Sequence, residues 1–236
     1  MKKIYCSVVV PAHNEAENLK RLVLELKSVL SKIRKKYEII ISNDNSTDNS
    51  LEVLKKLKKI APELVIINRT KNPGVGYAIR DGLNKVRGEI IISMDADLSH
   101  NPAEIPKFLK ALKGWDMVCG SRYFKGGKAE MSYSRIFISR LFNFIFRNII
   151  GVPVKDFTSG FRVYKAKIIK NIRLTSKKFG IFIEIPLKAY NAGFRMTEIP
   201  ISYSRRTFGR SNLAYLKQGP EYLKVVVEAI ISRFTK

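Results

Sequence analysis

The 236 residues carry 44 Lys and Arg against 20 Asp and Glu, a net charge of +24, which calls for an anionic partner such as a phosphorylated ligand, a nucleic acid or an anionic membrane face. A hydrophobic content of 45% is ordinary for a globular chain with a sizeable core. No run approaches the roughly 20 apolar residues that a bilayer crossing needs, and Cys6 and Cys119 sit in apolar, strand-like runs, which excludes a disulfide framework.

Taken in order, Met1-Lys2-Lys3 leads straight into an apolar strand at 6–10, so no secretory signal is expected and the cytoplasm is the expected compartment. The loop Pro11-Ala12-His13-Asn14-Glu15 follows, then a helix over about 16–34 with Leu19, Leu22, Val23, Leu26, Val29, Leu30 and Ile33 at helical spacing. Strands are predicted at 37–42, 65–68 and 89–94, with helices at about 50–60 and 74–86 between them. Strand–helix alternation predicts a mostly parallel sheet with helices on both faces. Ligands of such sheets bind outside the carboxyl ends of the strands, where the polar loops at 11–15, 43–48 and 95–99 should meet.

The fourth strand, Ile90-Ile91-Ile92-Ser93-Met94, ends in Asp95-Ala96-Asp97. Two carboxylates about 4 Å apart in a partly desolvated site repel by roughly 4 kcal/mol, a cost that a divalent cation removes. Hard oxygen ligands suit Mg²⁺ or Mn²⁺, with substrate phosphates completing the shell. The same tripeptide also suits a turn that caps the next helix. A dinucleotide site is set aside: no Gly-x-Gly-x-x-Gly follows the first strand, and Gly74-Val75-Gly76 opens the third helix without a third glycine.

Val8-Val9-Val10-Pro11-Ala12-His13-Asn14-Glu15, Asn45-Ser46-Thr47-Asp48 and Asp95-Ala96-Asp97-Leu98-Ser99-His100, in that order and spacing, resemble the family-2 glycosyltransferases. Gly120-Ser121-Arg122-Tyr123, Arg135 with Ser139-Arg140, the run 156–162 (Asp-Phe-Thr-Ser-Gly-Phe-Arg) and Phe208-Gly209-x-Ser211 narrow the likeness to polyprenol-phosphate (dolichol-phosphate) mannose synthases, over about residues 4–215. The resemblance implies an α/β fold of the GT-A type, a catalytic domain over 1–212 with an acceptor helix at about 133–150, and an amphipathic helix at 213–236 without a transmembrane segment.

By the same resemblance, Asp97 is the direct metal ligand, with Asp95 beside it toward the sugar or ribose. Pro11, His13, Glu15, Asp44, Asp95, Ala96 and Asp97 would receive the donor, and Arg206 would reach its diphosphate. A helix-capping role for Asn14 is the structural alternative at the first loop. Arg122 and Arg135, with Ser139, would hold the acceptor phosphate, since guanidinium forks bind phosphate bidentately; Asp97, Arg122 and Arg135 are then the catalytic set. Ser99 stands where relatives often carry Gln, leaving the third metal ligand to another residue or a water. Asn212 stands where relatives often carry Lys, with Arg205 and Arg210 as substitutes. Glu184 is either part of the site or a solvated, helix-terminal carboxylate.

The segment 136–150 has an apolar face too wide for an ordinary surface helix and suits a membrane surface better than a core. Residues 213–236, with Tyr222, Leu223, Val226, Ile230 and Phe234 among lysines and arginines, are a second membrane-facing candidate. The expected activity is metal-dependent, inverting transfer of a hexose, mannose from GDP-mannose, to polyprenyl or dolichyl phosphate, at the cytoplasmic membrane face, with room for a membrane-anchored partner protein. The alternatives are UDP-glucose or another donor or acceptor, and a basic nucleic-acid-binding protein. The last lacks a groove-reading helix or a stacking sheet, so no nucleic-acid partner is expected.

Overall fold

The structure is a computed structural model and describes residues 3–156, 158–206, 208 and 215–234. The first half alternates as the apolar periods dictate: β1 (Cys6–Ala12), α1 (Ala16–Ser31), β2 (Tyr37–Asp44), α2 (Ser50–Ile60), β3 (Leu64–Arg69), α3 (Val75–Asn84) and β4 (Ile90–Ser93). After a 3-10 turn at Pro102–Glu104 come α4 (Ile105–Ala111), β5 (Met117–Ser121), β6 (Lys128–Ala129) and α5 (Tyr133–Ile150). Then follow β7 (Arg162–Lys165), α6 (Lys167–Asn171), α7 (Ile181–Asn191), β8 (Met196–Pro200), β9 (Ser202–Tyr203) and α8 (Tyr215–Phe234).

Seven strands form one sheet in the order β3-β2-β1-β4-β7-β5-β8, and β6 pairs with β9 in a separate ribbon. β1 lies parallel to β2 and β4, and β5 parallel to β8, whereas β7 runs antiparallel between β4 and β5. Successive strand residues alternate faces. Val8 and Val10 accordingly belong to the core shared with Leu19, Leu22 and Leu26 of α1 and Phe108 of α4, while Val9 belongs to the opposite core with Ile79 and Leu83 of α3 and Ile183 and Leu187 of α7. Both faces are covered, which is why the central strands read as continuous apolar runs rather than as alternating ones.

Two expectations are corrected here. Asn14 does not cap α1: it adopts a left-handed conformation (φ 55°), and its side-chain oxygen accepts from the Thr47 amide at 2.8 Å, on the neighbouring loop. The Asp48 carboxylate supplies the cap across the cleft rim, accepting from the amides of Ala16 (3.1 Å) and Ser50 (2.9 Å). Nor is Glu184 solvated; its carboxylate is fully buried on α7, accepting from the Thr175 and Ser176 amides at 2.8 and 2.9 Å and pairing with Lys188 at 2.6 Å. It ties the 175–176 loop to α7, and that loop in turn abuts α3. A Cβ on Gly76 would lie 2.5 Å from the Lys177 carbonyl carbon, so only glycine permits this approach.

α5 is inverted relative to an ordinary surface helix. Ser139 and Asn143 are buried against the protein, while Phe137, Leu141, Phe144, Ile145 and Ile149 are exposed, Phe137 at 68% and Phe144 at 66%. α8 corrects its own expectation in part: Tyr222 and Val226 are core residues, and the Tyr222 ring packs on Phe142 of α5 with centroids 5.0 Å apart. Leu223, Val227 and Ile231 remain exposed. No helix among the described residues is long and apolar enough to cross a membrane. Cys6 and Cys119 are buried free thiols, and burial pushes them up to about 12 and about 11.

Candidate active site

The loops after β1, β2 and β4 converge at the carboxyl ends of their strands around a cleft of about 370 Å³, lined there by Pro11, Ala12, His13, Glu15, Asp44, Asp95, Ala96 and Asp97. An unbroken run of three branched apolar residues carries each strand through the core (Val8–Val10, Ile39–Ile41, Ile90–Ile92), and polar loop sequence follows where the strand leaves it. His13 and Asp44 are locked together, the ring Nδ1 lying 2.7 Å from the Asp44 carbonyl. The Asp44 carboxylate accepts from Arg69 Nε at 3.0 Å and from the Gly74 amide at 2.7 Å, which closes this end of the cleft with Pro73, Gly74 and Val75.

At the centre stands the acidic pair. Asp97 is buried; its Oδ1 accepts from the Ser99 amide at 3.0 Å and the Ser99 hydroxyl at 2.5 Å, and its Oδ2 from Arg206 at 2.9 Å. Burial alone would raise its carboxyl, but these partners outweigh it and hold Asp97 below the usual carboxylate range. Asp95 is the opposite case. Although a third of its side chain faces the cleft, desolvation and the neighbouring Asp97 charge push it up to about 7, against the pull of Arg206, Arg122 and Arg162. Glu15 is also raised, by burial first.

Room for Asp95 is made by Gly160, where a Cβ would sit 2.9 Å from the Asp95 carboxylate and 3.1 Å from the Phe182 ring. The loop itself is steadied by His100, whose buried ring accepts from the Asp95 amide at 3.4 Å and packs between Phe161 and Tyr203. Burial lowers His100 to about 4, so the imidazole is neutral at ordinary pH.

The chemistry of this donor set fits a hard divalent ion. Two carboxylates share one strand end, and burial together with the Asp97 charge disfavours ionised Asp95, a cost that a bound divalent ion would remove. Among the described residues no three His, Cys, Asp or Glu side chains are grouped to enclose an ion, so an ion here would take further oxygens from a bound phosphate or water. Ser99 spends its hydroxyl on Asp97.

Arginines line the same cleft. Arg122 follows β5 and is buried, its Nε and Nη2 gripping both oxygens of the fully buried Asp156 at 2.7 and 2.8 Å; Nη2 also donates to Thr158 at 2.9 Å and reaches Ser139 at 3.5 Å. Burial would raise Asp156, but the Arg122 charge and hydrogen bonds hold it low. Arg135, on the first turn of α5, lines the same cleft. Acidic pair and arginine pair thus face one cavity.

The sequence profile of Glycosyl transferase family 2 matches residues 7–173. The chain belongs to this family. It is 34% identical over 213 residues to a dolichol-phosphate mannosyltransferase of Pyrococcus furiosus, covering 88% of this chain and 58% of that protein. It is 30% identical to an undecaprenyl-phosphate 4-deoxy-4-formamido-L-arabinose transferase of Edwardsiella ictaluri, over 90% of this chain and 64% of the relative. The chain therefore spans about six tenths of the length of these relatives. In structure it resembles glucosyl-3-phosphoglycerate synthase of Mycobacterium tuberculosis, crystallised with Mn²⁺, UDP and glucosyl-3-phosphoglycerate, with a TM-score of 0.68 at 18% identity over 98% of this chain and 80% of that one. The fold of this family-2 protein is accordingly of the GT-A type.

Of the residues singled out from sequence, the expected donor-site residues at the ends of β1, β2 and β4 line one cleft, whereas Asn14 and Ser99 do not, and Arg122, Arg135 and Arg206 share that lining. Ser139 lies behind Arg122. Two differ in state from what was expected: Arg122 is clamped by Asp156, and Arg206 rests on Asp97 and, at 3.7 Å, on Glu15. Residues 209–212, with Arg210 and Asn212, lie outside the described residues. Sequence reasoning missed Asp156 as the partner of Arg122, and Lys178, Phe179 and Phe182 as cleft walls. The run 156–162 was a visible signal for the first; the phenylalanines looked like ordinary core residues.

Proposed function

We propose that this chain transfers a hexose, mannose from GDP-mannose, to the phosphate of a polyprenyl or dolichyl phosphate. The observation that carries the reading is the make-up of one cleft: a carboxylate pair at the strand ends and two arginines in the same lining. One of those arginines, Arg135, grows from a helix whose outer face is apolar. The relatives named for dolichol-phosphate and undecaprenyl-phosphate transfer support the acceptor class.

Asp97 and Asp95 would hold Mg²⁺ or Mn²⁺, which supplies charge neutralisation to the leaving diphosphate. His13, Glu15 and Asp44 border the space for the nucleoside, and Arg206 stands within reach of its phosphates. The acceptor phosphate is anionic already, so no protein base need remove a proton. Its position is what the protein must supply. Arg122 is oriented for this in advance: Asp156 accepts from its Nε and Nη2 at 2.7 and 2.8 Å, which fixes the plane of the guanidinium. In-line attack from that side inverts the anomeric carbon. The acceptor chain would lie along α5, placing the enzyme on a membrane surface, with residues 1–212 as the catalytic unit and α8 bracing α5.

The test is transfer of labelled sugar to a short polyprenyl phosphate in detergent, with GDP-mannose and UDP-glucose compared. GDP-mannose should be the better donor. Asp97→Ala should lower turnover at least about 1,000-fold with an unchanged circular dichroism spectrum, and Arg135→Ala should act mainly through acceptor KM. Full activity in Asp97→Ala would remove the metal role, and transfer from UDP-glucose alone would replace the donor.

A further inference from the structure

Arg206 sits on the carboxylate assigned above to the divalent ion. Of the two Asp97 oxygens, Oδ1 is held by the Ser99 amide and hydroxyl, and Oδ2 receives Arg206 through both Nη2 (2.9 Å) and Nε (3.2 Å). The same guanidinium reaches Glu15 Oε1 at 3.7 Å. It therefore bridges two buried carboxylates with a single positive charge. Its root is anchored to the very loop it neutralises, since Tyr203 makes a β-bridge to His100 and the Ser204 amide donates to the Ser99 carbonyl at 3.1 Å. The backbone is fixed two residues away, while the side chain itself is about a quarter exposed to the cleft. A long, flexible cation on a fixed root can leave its carboxylates and return to them.

From this geometry, and resting on the reading that Asp97 holds the ion, we propose that Arg206 is a placeholder for the divalent cation. It neutralises Asp97 and Glu15 in the ligand-free protein, and the ion must displace it from Asp97 Oδ2. A guanidinium and a divalent ion repel at such distance, so the displaced arginine needs an anion, and the diphosphate of a nucleotide in the same cleft provides one. Two consequences follow by linkage. The protein alone binds the ion weakly, and ion and nucleoside diphosphate raise each other's affinity by one common factor.

Mn²⁺ binding to the full chain, read from the loss of the free-ion electron paramagnetic resonance signal, tests this without any turnover. Arg206→Met should bind Mn²⁺ at least about 10-fold more tightly than wild type in the absence of nucleotide, whereas Arg206→Lys, which keeps the charge, should stay close to wild type. GDP affinity measured calorimetrically with EDTA should fall in Arg206→Met. A melting curve for each variant establishes that it is folded, and added Mn²⁺ should raise the melting temperature of Arg206→Met more than that of wild type. Equal nucleotide-free Mn²⁺ affinity in wild type and folded Arg206→Met, with binding lost in Asp97→Asn, overturns the placeholder and leaves the metal site standing. Mn²⁺ binding that survives Asp97→Asn overturns the metal reading itself, and absence of binding in every variant with GDP present overturns both.

Discussion

At the scale of single residues, the arginine side of the cleft depends on a buried ion pair. Asp156 is fully buried and Arg122 nearly so, and two parallel hydrogen bonds of 2.7 and 2.8 Å join them. Removing one partner of such a pair leaves an uncompensated buried charge at a cost of about 3–5 kcal/mol, whereas replacing both by apolar side chains is often close to neutral. Asp156→Asn should therefore lose about 3 kcal/mol in urea unfolding. The double variant Arg122→Met, Asp156→Leu should recover most of that loss while failing to bind polyprenyl phosphate. A double variant as unstable as the single one would show that the pair is needed for the fold itself. The two motifs were visible in the chain, but not that they pair, because 34 residues separate the partners and only the fold brings them together.

At the scale of elements, the legible part was local and the illegible part was pairing. Apolar runs ending in Pro11, Asn43 and Asp95 announce strands that leave the core, and that sufficed to bring three loops to one edge. The antiparallel insertion of β7 between β4 and β5 was not legible: Arg162-Val163-Tyr164 could pair with either neighbour or none, and only the hydrogen-bonding register decides. The inverted face of α5 was half legible. Its wide apolar stripe was visible, but that Asn143 faces inward toward Thr158 (3.2 Å) follows from a tertiary contact.

The opposite end of the sheet, where β5 begins, holds a testable electrostatic joint. Asp116 precedes β5 and accepts from Lys167 (2.9 Å), from Lys165 (3.0 Å) and from the Arg195 amide (3.1 Å) ahead of β8. Burial alone would raise its carboxyl; the hydrogen bonds from Lys167 and Lys165 outweigh that and take it down to about 2. A folded-state value below the unfolded one contributes stability above the unfolded value near 3.8, which is lost as the pH falls toward 2. Both lysines are well exposed, so screening limits the contribution to roughly 1 kcal/mol. Asp116→Asn should be less stable than wild type at pH 6 by about that amount, and the difference should close as the pH is lowered from 4 to 2. A gap that stays constant across this range would assign the effect to lost packing rather than to charge.

At the scale of the whole molecule, a charge of +24 and one exposed apolar helix both suit the proposed lipid-borne, anionic acceptor. Phe137 and Phe144 lie on the outer face of α5 two turns apart, on the helix that carries Arg135 at the cleft, so on the proposed function a lipid held by its phosphate at Arg135 would have its chain emerging beside them. Basic residues near an anionic leaflet contribute about 1 kcal/mol each, and buried apolar side chains add to this. The two contributions separate experimentally, because salt screens the first and not the second. Wild type should co-sediment with vesicles containing anionic lipid and bind more weakly to neutral ones. Raising the salt from about 0.1 M, where screening acts over about 10 Å, to about 1 M, where it acts over about 3 Å, should leave a residual that Phe137→Ser with Phe144→Ser removes. That double variant should lower partitioning at least about 10-fold, equivalent to about 1.4 kcal/mol, and should retain nucleotide-dependent Mn²⁺ binding because neither ring lines the cleft. If the double variant partitions like wild type at high salt, the apolar face is not what meets the lipid, and the basic surface alone must hold the enzyme to its acceptor.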